Sequence, residues 1–164
     1  MDKILIEQTL NNLDSLYHHN PADQVYYSKL AILELSGWLE ETIDELLIHY
    51  SRSKLNSDNL EYFEGKIKNT WGANYSSNIR NLLIIVVGLI NVETIENNLK
   101  QSGGYLDILK NTTKSLKKAR DDCAHTSTAG VTQQFQAPSY YKQVLIDIYD
   151  SLIELEKELN LINP

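Results

Sequence analysis

Apolar residues recur at steps of three and four along nearly the whole chain, a spacing that keeps one face of an α-helix in the core. The pattern predicts a first helix from about Asp2 to Tyr17, stopped before the Asn20-Pro21 turn. A long second helix is predicted from about Asp23 to Tyr50, where Ile32, Leu35, Leu39, Ile43, Leu46 and Tyr50 form one stripe. "SRSKLNSDN" then interrupts the period with residues that cap helices and compete for their backbone bonds. A shorter helix follows over Asn59 to Thr70, and after it the looser stretch "WGANYSSN". The β-branched run in "NIRNLLIIVVGLI" would suit a buried strand, but a lone strand builds no sheet and nothing else alternates with period two. It reads instead as a short buried helix. A turn at or after Asn91 leads into "VETIENNLK", and Gly103-Gly104 closes that helix.

Another helix begins at Tyr105, with Leu106, Leu109, Thr113, Leu116, Arg120 and Cys123 on its inward stripe. "STAGVTQQFQAPS" is a predicted loop, and Ser139 is the expected N-cap of the last helix. There Tyr141, Leu145, Ile148, Leu152, Leu155, Leu159 and Ile162 hold a heptad register typical of bundle packing. No internal repeat or low-complexity tract divides the chain. The expected fold is all-α, a single-domain up-and-down helical bundle of about five to seven helices over residues 1–164.

Composition narrows the setting. At 164 residues and 42% hydrophobic content the chain is long enough for one substantial core. It contains no run of about 18 apolar residues, so no membrane span is expected. "MDKILIEQTLNNLDSL" lacks the apolar centre of a signal peptide, and the single cysteine, Cys123, fits a reducing compartment. Both point to the cytoplasm. The formal charge of −7 argues against a sequence-blind nucleic-acid binder. Charge is uneven, however. From Gln101 to His125, Lys110, Lys114, Lys117, Lys118 and Arg120 outnumber Asp107, Asp121 and Asp122, whereas Asp147, Asp150, Glu154, Glu156 and Glu158 make the last helix acidic. A basic strip of this kind is either a solvated helix face or a surface for a polyanion.

Candidate chemistry concentrates in "SLKKARDDCAHT". Arg120 arrives on an apolar stripe, where a guanidinium needs a carboxylate, a phosphate or water. Glu40 or Glu41 on the long second helix could be its structural partner. His125 falls in the last turn, where the helix dipole alone favours an imidazolium. Elsewhere, His18, His19 and His49 lack metal-ligand spacing, so no metal site is expected. Cys123 reads as a small core residue, and Trp38 and Trp71 as core or interface anchors rather than base-stacking surfaces. No glycine-rich phosphate loop or carboxylate pair for acid–base work stands out, and no cofactor is implied.

"RDDCAH", closing a lysine-faced helix and followed by a loop and a bundle helix, resembles the HEPN superfamily. Its ribonuclease members carry arginine, a polar residue, a few variable residues and histidine, which here would be Arg120, Asp121 and His125. "LAILELSGWLEETIDELLIHYS" looks like the long helix of the RiboL-PSP-type HEPN branch, with its Ser-Gly-x-x-Glu step before an apolar run and a tyrosine. The likeness spans about three-quarters of the chain. Asp121 stands where asparagine is commoner, Thr126 where many relatives have glycine, and Ser127 where one toxin branch has tyrosine. The resemblance implies metal-independent RNA cleavage by 2′-hydroxyl attack, in a toxin, phage-defence or stress setting. Arg120 and His125 would be catalytic, Asp121 would orient one of them, and Lys114, Lys117 and Lys118 would hold flanking phosphates. Residues five apart lie about 140° apart round a helix, so the two catalytic side chains cannot share a face. A homodimer that pools two such helix ends is therefore expected, with an antitoxin or inhibitory protein as a further partner. The alternative is an inactive module of the same fold that binds RNA or protein.

Overall fold

The computed structural model describes residues 1–125 and 134–162, apart from the side chain of His125. Among the described residues the chain is all helical, with seven α-helices and no strand. They are α1 (Ile4–His19), α2 (Gln24–Arg52), α3 (Ser57–Lys68), α4 (Arg80–Val87), α5 (Leu89–Gln101), α6 (Tyr105–His125) and α7 (Pro138–Leu161). A 3-10 turn, Pro21–Asp23, links α1 to α2, and a π turn, Tyr75–Ile79, leads into α4. Most of the predicted "STAGVTQQFQAPS" loop, with Thr126 and Ser127, lies outside the described residues.

Helix α2 is the hub, packing on α1, α6 and α7 along its length and on α3 and α4 near its end. Its predicted stripe is buried throughout, from Ile32 and Leu35 to Tyr50. Each such side chain taken from water contributes about 1.5–3 kcal/mol. The heptads of α7 are buried as well, from Tyr141 through Leu159, with Ile162 at the end only partly covered. That stripe is used up inside the chain, so it offers no surface to a second copy.

Polar contacts fix the helix directions. The Trp38 indole donates to the carbonyl of Asp2 while Gln24 donates to that of Tyr17, which sets α1 antiparallel to α2. The Lys3 ammonium lies 4.7 Å from the Tyr149 ring centroid and Lys142 pairs with Asp14 at 2.8 Å, so α1 also runs antiparallel to α7. These four helices, α1, α2, α6 and α7, make the central bundle; α5 covers α6 and α7, and α3 and α4 cover α2.

Three sequence expectations need correction. The α4–α5 break falls at Gly88, not at Asn91, because Gly88 takes φ +80°, a conformation glycine enters without a Cβ clash. The run from Leu82 to Ile90 is buried on one face only: Leu82 and Leu83 enter the core, while Ile85, Leu89 and Ile90 are exposed. Ser139 is not the N-cap of α7. The helix starts two residues earlier, with Ala137 as N-cap and Pro138 at the first position, where its missing N–H is no loss.

The π turn is held from both sides. The Tyr75 amide donates to Thr113 Oγ1 at 3.0 Å, which accounts for a threonine on the apolar stripe of α6. The Tyr75 hydroxyl donates to Glu96, which also accepts from Arg80 Nε at 3.0 Å and has Lys110 Nζ at 3.7 Å. Burial, together with Glu96, pushes the Tyr75 hydroxyl pKa up, keeping it a neutral donor. Since Glu96 is only 14% exposed, Glu96→Ala strands a buried hydroxyl and a guanidinium together. We expect it to cost about 2–4 kcal/mol in urea unfolding.

Candidate functional site

The site grows from the meeting of α2 and α6. Arg120 Nη1 donates to Glu40 Oε1 at 2.7 Å, so of the two candidate carboxylates it is Glu40 that receives the guanidinium. The pair is not sealed: the Arg120 side chain is 39% exposed and that of Glu40 29%. Arg120 sits near the C-terminal end of the stripe, and its long stem covers apolar surface while its head reaches the rim. The expectation of a buried arginine is corrected to that extent.

Gly72 closes over the pair. Its φ is +87°, and a Cβ built on it would lie 3.7 Å from Arg120 Nη1 and 3.9 Å from Glu40 Oε1. Two small cavities of about 20 Å³ flank it, one lined by Ser36, Lys117 and Arg120 among others, the other by Asp44, Thr70 and Asn78. Each has room for about one water, so a phosphate can reach Arg120 only from the solvent side. A larger cleft of about 430 Å³ lies between α6 and α7, lined by Asn111, Ser115, Tyr140 and Asp147, and it does not include Arg120.

The lysine strip is more neutral than its sequence suggests. Lys117 pairs with Asp121 and Lys118 with Asp122, both at 2.6 Å and one turn apart, while Lys110 leans on Glu96. Lys117 and Lys118 are thus occupied where phosphate contacts were expected, and Asp121 accepts from Lys117. Lys114 has no carboxylate partner among the described residues. Exposed pairs of this kind hold by only a few tenths of a kcal/mol, so a phosphate can displace them. The His125 side chain lies outside the described residues.

Cys123 is buried, and burial pushes its thiol pKa up to about 11, which suits a core residue and not a nucleophile. Trp38 packs partly buried against the core. Trp71, by contrast, is 83% exposed, which removes it from the core. No group of three or more His, Cys, Asp or Glu among the described residues is placed to hold a metal ion. Among the described residues no helix is long and apolar enough to cross a membrane.

Asp44 is a further acidic group at this site, beyond the residues singled out by the sequence. It lies one turn after Glu40, so the i, i+4 spacing puts both carboxylates on one face of α2. Burial, then the charges of Glu40 and Glu41, push its pKa up to about 6. The signal in the sequence was the Glu40-Glu41-x-x-Asp44 run, but it reads as an ordinary acidic helix face until Gly72 and α4 close over one side of it.

Comparison with protein-family models, with curated proteins and with solved structures finds no match for this chain. The functional reading therefore rests on the residues themselves.

Two outcomes follow from this geometry. Arg120→Ala should cost only about 1 kcal/mol in chemical denaturation, because Glu40 regains water at the rim when its partner goes. A fully buried pair would have cost several times more. The second concerns pH. A carboxyl whose folded pKa exceeds its unfolded one binds more protons when folded, so its stabilising contribution is present below about pH 4 and lost as pH rises through about 6. Asp44→Asn should accordingly gain about 1–2 kcal/mol relative to the parent between pH 3.5 and pH 7, allowing for its partial exposure. Urea melts of both proteins across that range would show it.

Proposed function

We propose that this chain is a HEPN-like endoribonuclease, acting as a homodimer that cuts single-stranded RNA without a metal. The observation that carries the reading is Arg120: one nitrogen is fixed by Glu40 and the side chain stays 39% open at the rim, on the helix that ends in His125. A guanidinium held this way keeps further N–H donors for a phosphate.

The reaction this would serve starts with the ribose 2′-hydroxyl attacking the adjacent phosphorus. His125 of one copy takes the hydroxyl proton, and the P–O5′ bond breaks as His125 of the other copy protonates the leaving oxygen. The products are a 2′,3′-cyclic phosphate and a free 5′-hydroxyl. Imidazole suits both proton transfers because it titrates near neutrality. Arg120 stabilises the charge that builds on the equatorial oxygens of the phosphorane. Lys114 would bind a flanking phosphate, and Lys117 and Lys118 would join it once their aspartates are displaced. A toxin, defence or stress role, with an inhibitory protein partner, belongs to the same reading.

A second reading, an inactive module of the same fold that binds RNA or protein, is favoured by the pairing of Lys117 and Lys118 with Asp121 and Asp122. Incubation with single-stranded RNA in excess chelator separates the two. The enzyme leaves cyclic phosphate ends, and Arg120→Ala and His125→Ala each lower the rate at least 100-fold while the fold is retained by circular dichroism. Binding without any cut would identify the inactive module.

A further inference from the structure

Trp71 is a large apolar ring left almost wholly in water, on a segment that is otherwise tied down. Its carbonyl accepts from Asn78 Nδ2 at 2.7 Å. On one side Thr70 Oγ1 donates to the Lys66 carbonyl at 2.9 Å. On the other, Asn74 Oδ1 accepts from the Ser77 amide, and the Tyr75 amide is held by Thr113. A single exposed aromatic needs no explanation in general. This one is singled out by its neighbour: Gly72 is the residue that covers the Arg120–Glu40 pair. Chain geometry alone keeps the Trp71 Cα within roughly 9 Å of the guanidinium.

We infer that Trp71 is a stacking platform for a nucleobase of the strand whose phosphate Arg120 holds. The inference rests on the RNA reading above and adds a contact which that reading does not contain. The charge balance calls for such a contact. A chain of net charge −7, with Lys117 and Lys118 already paired, has little long-range attraction for a polyanion. Stacking on a π face needs no net charge, works for every base and is weakened little by salt, so it can supply the affinity that the lysines do not. A pinned backbone also presents the indole with little ordering to be done on binding. Arg120 and Trp71 together would then grip one nucleotide unit from its phosphate and its base.

The test uses full-length protein carrying His125→Ala, so that the probe survives, with two dye-labelled probes: decaadenylate and a ten-unit abasic ribose–phosphate chain. Anisotropy should show Trp71→Ala weakening decaadenylate tenfold to a hundredfold, with Trp71→Phe close to the parent and the abasic chain unaffected. In a Trp38→Phe background Trp71 is the sole indole, and decaadenylate should quench its emission saturably. If Trp38→Phe does not fold, the anisotropy series decides by itself. Should decaadenylate bind while Trp71→Ala changes its affinity by less than twofold, the stacking assignment is overturned and the RNA reading stands. Should neither probe bind, both fall together. A third outcome, Trp71 emission that depends on protein concentration without RNA and a Trp71→Ala variant that sediments as a monomer, makes the indole a dimer anchor and overturns the assignment too.

Discussion

Everything in this fold depends on burying one side of a 29-residue helix. An isolated helix is marginal in water, and its stability in a protein comes from the apolar face it hides. Helix α2 presents that face to α1, α6 and α7, and the direction of each is then fixed by a few polar contacts at the bundle's edges. The ordering is physical: hydrophobic burial is non-directional and supplies most of the stabilisation, while the hydrogen bonds of Trp38, Gln24 and Lys142 choose among packings of similar burial. Outside the central four, α4 and α5 are tied together through Glu96 of α5, the acceptor shared by the π turn and α4 and faced by Lys110 of α6.

The Arg120–Glu40 pair is a product of the same constraint. The stripe of α6 meets the rim at its fifth position, where an arginine can sit with its head in water, before Cys123 returns to the core one turn later. Glu40, facing it from α2, does two opposed things. It holds the guanidinium in one place, which favours any ligand that needs a fixed fork of donors. It also competes with that ligand for one of the nitrogens. Gly72 lies against both, with a Cβ built on it 3.7 Å from the guanidinium and 3.9 Å from the carboxylate.

Much of this was legible beforehand. The stripes of α2 and α7 predicted their buried residues closely, because periodicity over three or more turns averages out local exceptions. The partner of Arg120 could be narrowed to Glu40 or Glu41 of α2, and the packing of α2 on α6 decides for Glu40. What could not be read were features decided by elements distant in sequence or by a single backbone conformation. Gly88 breaks a helix through its φ, which sequence patterning does not encode, and Pro138 displaced Ser139 as the start of α7 because it suits the first position. The raised pKa of Asp44 needs the cover of residues near Gly72 and Ile79. The neutralised lysines follow from i, i+4 spacing: a count of charges shows a basic strip, whereas pairing depends on which aspartate stands one turn along from each lysine.

That last point bears on how an acidic chain could meet a polyanion at all. A lysine already paired one turn along its own helix contributes little field at a distance, yet it is available at contact, because the pair is exposed and weak. Recognition on such a surface would be short-ranged: slow to attract, but selective for a ligand that can fill several positions at once. On the RNA reading, Arg120 and Trp71 would offer two such positions, a fixed cation and an exposed ring. On the same reading, the acidic α7 would act against diffuse binding of nucleic acid elsewhere on the molecule. A surface built this way would trade rapid electrostatic capture for discrimination at an edge where exposed ion pairs can rearrange.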